Sequence, residues 1–337
     1  MEALRALPST TQLSKTVVRI LGQNPGPYTL QGTNTYLVGE RNPYILIDTG
    51  EGKDAYIPLL EAALRDASRP HAVDRPYVSD IILTHKHHDH TFGLPSVLDL
   101  LKRLWATHCG SDPAPYQPPR IHKYPLTIPD TRFRTVLDTL SSIPSDSFTP
   151  DSSGNHIHEL RHGQTLDVTT VSATPTSVLE VLHTPGHTTD SLCLYYPTDR
   201  ALFTADTVLG HGSTVFEDLR TYMSSLRTMI DFSEGGAKYG PVYPGHGPVV
   251  EEGLKHVSGY LQNRQAREDQ IVQALQSLPS EEYCTTWTLV SAIYKDYPRE
   301  LWDGAARSVD MHLRKLEADN RVVCHGGDGK HMEWELV

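Results

Sequence analysis

Residues 81–90, Ile-Ile-Leu-Thr-His-Lys-His-His-Asp-His, end a short apolar run in a knot of imidazoles and one carboxylate. Such a knot at the mouth of a core strand is costly unless something binds there. Imidazole and carboxylate together suit a borderline divalent cation, with zinc the expected ion and manganese or iron the alternatives. The spacing His85-x-His87-x-Asp89-His90 puts His85 and His87 on one side of an extended turn. Asp89 and His90 then point elsewhere, enough to serve two neighbouring metals.

Four further segments carry a metal-type residue at or just after a predicted strand end. They are Asp48 in Ile-Asp-Thr-Gly, His187 in Thr-Pro-Gly-His-Thr, Asp206 in Phe-Thr-Ala-Asp-Thr and His246 in Tyr-Pro-Gly-His-Gly. Pro185-Gly186 and Pro244-Gly245 force sharp turns that aim the next imidazole back at the site. A lone Pro-Gly-His is more often a surface turn than a ligand. All five pieces in this order favour a metal centre over a surface histidine patch. Ser191 has no G-x-S-x-G context, so a serine nucleophile is unsupported.

The elements that must position these groups follow from pattern. Strands are predicted at 17–21, 35–38, 44–48 and 79–84, with a helix over 55–67 capped by Asp54 and another at 95–105. Residues 109–155 are rich in Pro, Ser, Thr and Asp. They predict one helix near 132–141 and otherwise loop, a partly ordered flap or lid near the site. Strands resume at 166–171, 178–183, 192–196, 201–205 and 241–243, with a helix over 217–231. Helices at 251–277, 286–295 and 302–318, then strand-like pieces at 321–324 and 331–336, have the layout of a winged-helix-like appendage. The expected division is a catalytic domain over 1–250 and a C-terminal helical domain over 251–337, without internal repeats.

With 337 residues, 38% of them hydrophobic, the chain can bury a core. Its apolar runs are too short to span a membrane. A formal charge of −11 does not favour a polyanionic partner in bulk. Cys109, Cys193, Cys284 and Cys324 are scattered and read as reduced thiols. No apolar run follows Met1, so a cytoplasmic location is expected. The mitochondrial matrix is the alternative, because residues 1–15 hold Arg5, Lys15 and several Ser and Thr with Glu2 the only acid.

In these motifs the chain resembles the metallo-β-lactamase superfamily, and within it the beta-lactamase-like protein 2, glyoxalase-II-like branch. The resemblance runs from residue 17 to about 325. Besides the metal motifs it is carried by segments 17–39, 47–51, 212–219, 243–249 and 312–317. It implies an α/β fold, a four-layer αββα sandwich. It implies that His85, His87 and His187 hold one metal, that Asp89, His90 and His246 hold a second, and that Asp206 bridges them. Asp48 would orient a ligand imidazole, and Asp89 would also act catalytically by orienting a water or shuttling its proton. Two positions depart from the pattern. Lys86 stands where an aromatic residue is common and reads as solvated. Ala205 stands where glycine is common, which should only crowd the turn slightly. Among other histidines, His88 is expected exposed and His183 packed on its strand, while His211 and His312 could approach the cleft.

The resemblance implies a two-metal hydrolase. The first expectation is a thioesterase releasing an acyl or polyketide chain from an acyl carrier protein or coenzyme A, by attack of a metal-ionised water. Lys255, Arg264 and Arg267 would offer a docking patch for the carrier. The alternative is an endoribonuclease on single-stranded RNA, with Arg307, Arg314, Lys315 and Arg321 tracking the backbone and Trp302 and Trp334 either stacking or in the core. A non-enzymatic scaffold is disfavoured by the complete ligand set.

Overall fold

The computed structural model describes residues 5–67, 74–108, 115–126, 128–171, 177–233, 238–277 and 284–337. Cys109, the start of the Pro-rich insertion and the first four residues lie outside them. Seven strands form the first sheet: β1 (Thr10–Gln12), β2 (Val17–Leu21), β3 (Asn34–Val38), β4 (Tyr44–Ile47), β5 (Val78–Leu83), β6 (Arg120–Lys123) and β7 (His158–Glu159). They pair in chain order, antiparallel through β4 and parallel from β4 to β7. A second sheet runs in the order β12-β11-β10-β9-β8. Its strands are β8 (Thr165–Val168), β9 (Ser177–His183), β10 (Leu192–Tyr196), β11 (Ala201–Ala205) and β12 (Val242–Pro244).

Alternating side chains build the layers. From β3 and β4, Tyr36, Val38, Ile45 and Ile47 face inward and meet Leu179, Leu194 and Phe203 of the other sheet. Their neighbours Leu37 and Leu46 face outward, into a core closed by helices α1 (Tyr56–Ala67), α3 (Leu94–His108) and α4 (Thr131–Ser142). A one-turn helix, α2 (His88–Thr91), lies between α1 and α3. On the far side, Cys193, Tyr195 and Leu202 pack against α5 (Leu219–Asp231) and α6 (Gly253–Gln276). The result is the expected αββα sandwich.

Helix α6 belongs to two cores. Val257 and Tyr260 pack in the sandwich, whereas Ile271 and Leu275 pack with α7 (Thr286–Ile293), α8 (Trp302–Ala318) and a small sheet, β13-β15-β14. That sheet comprises β13 (Cys284–Thr285), β14 (Val322–Gly326) and β15 (Glu333–Leu336). Trp302 and Trp334 are both buried there. Among the described residues no helix is long and apolar enough to cross a membrane.

The insertion departs from expectation. Helix α4 falls where predicted, but β6 is a ladder strand and not loop, and it pairs with the short β7 just beyond the insertion. Strand β6 reads Arg-Ile-His-Lys, too polar for a buried strand on its own. Carboxylates from β5 and from the β9–β10 loop answer its charged groups. Arg120 Nε donates to Asp80 Oδ1 of β5 (2.7 Å), and His122 Nε2 lies 2.7 Å from the same oxygen. Lys123 is buried in an ion pair with Asp190.

Candidate metal centre

The predicted site residues gather at the same end of the two sheets: Asp48 after β4, His85 and His87 after β5, Asp89 and His90 on α2, His187 after β9, Asp206 after β11 and His246 after β12. Two clusters result. One holds His85, His87, His187 and Asp206, and the other Asp89, His90 and His246; within each, the donor atoms lie within 4.8 Å of one another. Asp206 touches both. Its Oδ2 is 3.2 Å from His246 Nε2 and 3.6 Å from His187 Nε2, and its Oδ1 is 3.3 Å from His90 Nε2.

This donor set fits divalent cations. His87 Nδ1 lies 3.0 Å from His187 Nε2 and 3.1 Å from His85 Nε2, and Asp89 Oδ2 lies 3.1 Å from His246 Nε2. Two ligands held about 2.0 Å from a tetrahedral ion are separated by about 3.3 Å, so these spacings are those of shared coordination. Asp206 Oδ1 is buried without a hydrogen-bond partner, as a carboxylate oxygen kept for an ion would be. The His/Asp clusters therefore suit a binuclear metal site.

Hydrogen bonds fix most of the imidazoles from behind. His187 Nδ1 donates to the Val215 carbonyl (2.7 Å), which leaves Nε2 a lone pair facing the cluster. His90 Nδ1 is 2.7 Å from Asp48 Oδ2, and Asp48 is held by the Thr84 backbone N–H (2.8 Å) and hydroxyl (2.9 Å). Thr84 Oγ1 also lies 3.1 Å from His85 Nδ1. Asp89 Oδ2 accepts from Thr33 Oγ1 (3.3 Å). Thr33, Thr84 and the Val215 carbonyl carry no sequence signal of their own. They are recognisable only once the loops are brought together.

The His246 turn is pinned by Asn34, whose Nδ2 donates to the carbonyls of Pro244 (2.8 Å) and Gly247 (2.9 Å). Gly245 is required there, because a Cβ would stand 2.2 Å from Asp206 Oδ1. The segment 85–90 is not one extended turn. It bends at His85 and Lys86, His87 is the extended residue before α2, and its second half is helical. That turn of helix swings Asp89 and His90 toward the second cluster.

Electrostatics divide the clusters. Burial pushes the His85 imidazole well below its usual pKa and His87 down to about 4, with neighbouring imidazoles adding to both. Burial would also lower His90 and His246. Asp89, Asp206 and Asp48 outweigh it and hold His90 well above the usual range, while Asp206 and Asp89 raise His246 to about 9. His85 and His87 thus present neutral lone pairs, whereas the His90 and His246 pair must shed protons on taking up a cation.

Expectations for neighbouring residues need correction. Lys86 is not solvated: its ammonium is mostly buried and bridges Glu217 (2.8 Å) and Asp130 (3.3 Å). His88 is half-buried and lines the cavity at the centre. Ala205 does more than crowd a turn, since its φ of 45° is left-handed, the region glycine adopts without penalty. His183 stacks on Tyr124 with ring centroids 3.7 Å apart, as a packed strand histidine. His211 is exposed, and His312 is buried in α8.

The cavity over the metal clusters has a volume of about 550 Å³. Its wall combines Pro25, Pro27, Tyr28, Leu209 and Val215 with Lys53, His88 and Arg132.

Residues 28–246 match the model of the Metallo-beta-lactamase superfamily, and residues 285–334 match the Beta-lactamase associated winged helix domain. The chain belongs to the metallo-β-lactamase superfamily. It is 36% identical to the Beta-lactamase-like protein 2 homolog of Drosophila melanogaster, covering 94% of this chain and 92% of that one. It is 35% identical to the Lactamase-like protein vrtG of Penicillium aethiopicum, covering 98% and 91%. A solved beta-lactamase domain protein from Burkholderia ambifaria shares the fold at 18% identity, with a TM-score of 0.65 over 98% of this chain and 95% of that one.

Proposed function

We propose that this protein is a metal-dependent thioesterase releasing an acyl or polyketide chain from an acyl carrier protein or coenzyme A. One observation carries the reading: the two clusters sharing Asp206 open onto a cavity whose wall carries exposed apolar side chains, Tyr28 79% and Val215 59% exposed. Exposed apolar side chains at a polar centre suit an acyl chain better than a phosphodiester backbone.

His85, His87, His187 and Asp206 would hold one cation, and Asp89, His90, His246 and Asp206 the other, with zinc the expected ion. When bound, such a pair supplies an ionised water at neutral pH and charge stabilisation for a developing oxyanion. The chain's own residues do the rest. Asp89 is kept anionic by His90 and His246 although burial opposes this, so it stays a hydrogen-bond acceptor that can orient a water. Asp48 fixes the His90 ring. Pro25, Pro27, Tyr28, Leu209 and Val215 of the wall offer an acyl chain apolar surface, and a thiolate leaves without needing a strong acid.

The tail gives less support to RNA. Arg314 faces Asp310 and Glu317, Lys315 faces Glu268 and Asp319, and Arg321 pairs with Glu268. The cations of α6 are also engaged: Lys255 with Glu252, Arg264 with Ser213, and Arg267 over the Tyr294 ring. A carrier protein would have to compete for them. Three free cysteines among the described residues accord with a reducing compartment such as the cytoplasm.

The test is to incubate metal-loaded protein with acyl-carrier and acyl-coenzyme A thioesters, and separately with labelled single-stranded RNA. Thioester turnover abolished in Asp89→Asn and His85→Ala supports the proposal. RNA cleavage with the same dependence, and no thioester turnover, replaces it with the endoribonuclease reading.

A further inference from the structure

The cavity wall carries a cation that its surroundings do not neutralise. Arg132 lies in the first turn of α4 and faces the same cavity as the metal clusters. Its guanidinium has no hydrogen bond or ion pair among the described residues. Other cations nearby are all engaged: Lys53 with Glu51 (3.2 Å), Lys86 with Glu217 and Asp130, and Arg264 with Ser213.

The backbone that carries Arg132 is anchored to the metal centre. Asp130 caps α4, and its Oδ1 accepts from the N–H groups of Arg132 (3.0 Å) and Phe133 (2.9 Å). The Asp130 Oδ2 lies 3.3 Å from the ammonium of Lys86, which stands between two metal-cluster histidines. Lys86 also holds Glu217, whose N–H donates to the Gly186 carbonyl of the His187 turn (2.7 Å). The insertion is thus tied at one point to two of the three cluster-one loops, those of His85 and His187, and that point sets where Arg132 begins.

Resting on the thioesterase reading, the geometry points to Arg132 as a specificity-determining residue that binds an oxyanion on the substrate, away from the reacting carbonyl. A planar guanidinium with free donors recognises a carboxylate or phosphate through two parallel hydrogen bonds. That anion is either a carboxylate on the acyl chain or the phosphate of a pantetheine arm. Asp130 and Lys86 are positioning residues for it.

Three substrates separate these sources on the metal-loaded full chain: glutaryl-N-acetylcysteamine, hexanoyl-4′-phosphopantetheine and neutral hexanoyl-N-acetylcysteamine. Arg132→Ala should raise KM about 10- to 30-fold for one anionic substrate, the loss of one charge-assisted contact. Its kcat, and the neutral substrate's kcat/KM, should stay within about twofold. The substrate affected names the anion. Arg132→Lys should recover part of the loss. Asp130→Asn keeps the cap but drops the Lys86 ion pair, and should give a smaller rise for the same substrate. Equal changes on all three substrates, or none on any, overturn the inference. If wild type turns over no thioester, the functional reading fails on its own. Calorimetric titration with glutarate and with 4′-phosphopantetheine then decides for Arg132: binding weakened in Arg132→Ala upholds the anion site, and unchanged binding overturns it.

Discussion

Replacing His312 by leucine should remove an acid-sensitive weak point from the packing of α6 against α8. His312 is fully buried on α8, and neither ring nitrogen has a hydrogen-bond partner among the described residues. Burial, then Arg264 and Arg267 of α6 and Lys315 of its own helix, push its pKa down to about 3. The folded value therefore lies below the unfolded value of 6.5, and the unfolded chain binds the extra proton in acid. The contribution is fully present above about pH 6.5 and is lost progressively as pH falls toward about 3. At pH 5 that loss comes to about 2 kcal/mol, from about 1.4 kcal/mol per pH unit between the two values. Urea denaturation of wild type and His312→Leu at pH 7.5 and pH 5.0 measures it. The difference between the two acid-induced losses cancels the other titrating groups, including the metal ligands. The variant should lose about 2 kcal/mol less than wild type on acidification, and at pH 7.5 it should match or exceed wild type because two unsatisfied nitrogens are gone. Equal acid losses in both proteins would refute the reasoning, since the imidazole would then have to be solvated or paired.

Gly245→Ala should cost the protein its metal without unfolding it, because the new Cβ would meet Asp206 Oδ1 at 2.2 Å and His90 Cε1 at 3.0 Å; elemental analysis after dialysis, beside an unchanged far-ultraviolet spectrum, checks this. Ala205→Gly should stabilise by up to about 1 kcal/mol by relieving the left-handed φ of 45°, and a lower denaturation midpoint would count against it. Burial alone would raise the Asp80 carboxyl, but His122 and Arg120 hold it down at about 2. Its contribution of about 2 kcal/mol is thus present above about pH 4 and lost as pH falls to about 2. Asp80→Asn should be less stable at pH 7 and converge with wild type near pH 2 in thermal melts, and parallel curves would exclude the linkage.

Local chemistry made the sandwich and the gathering of its His and Asp side chains legible. The apolar strands β2 to β5 and β9 to β11 announce themselves by burial pattern, and each metal-type residue follows a strand or a Pro-Gly turn. Illegible were features whose justification lies far along the chain. Strand β6 is polar in isolation and becomes a strand only because Asp80 and Asp190 answer its Arg, His and Lys. Lys86 reads as a surface lysine until the insertion delivers Asp130 and the start of α5 delivers Glu217. The penalty at Ala205 is a dihedral angle, invisible in a residue type that tolerates almost any other backbone.

These long-range pairs concentrate around one structural problem. Four imidazoles and two carboxylates are withdrawn from water at the sheet ends, and a donor group free to rotate would hydrogen-bond a neighbour rather than wait for a cation. The chain meets this by occupying the opposite side of the donors: Asp48 behind His90, the Val215 carbonyl behind His187, Thr84 behind His85 and Thr33 on Asp89. Asp48 itself takes a left-handed φ of 60°, which an aspartate adopts more readily than most residues. The orienting carboxylate therefore sits at a strained position, 48, just beyond β4, and Asp206 follows another, 205, the last residue of β11. Strain of this kind persists only where surrounding structure over-determines it. Here the Asp48 hydrogen bonds to Thr84 and the Gly245 N–H to the Ala205 carbonyl (2.7 Å) do so. Relaxing position 205 with glycine should then add stability without moving Asp206, because Gly245 and its neighbours, not the Ala205 side chain, hold that carboxylate's loop.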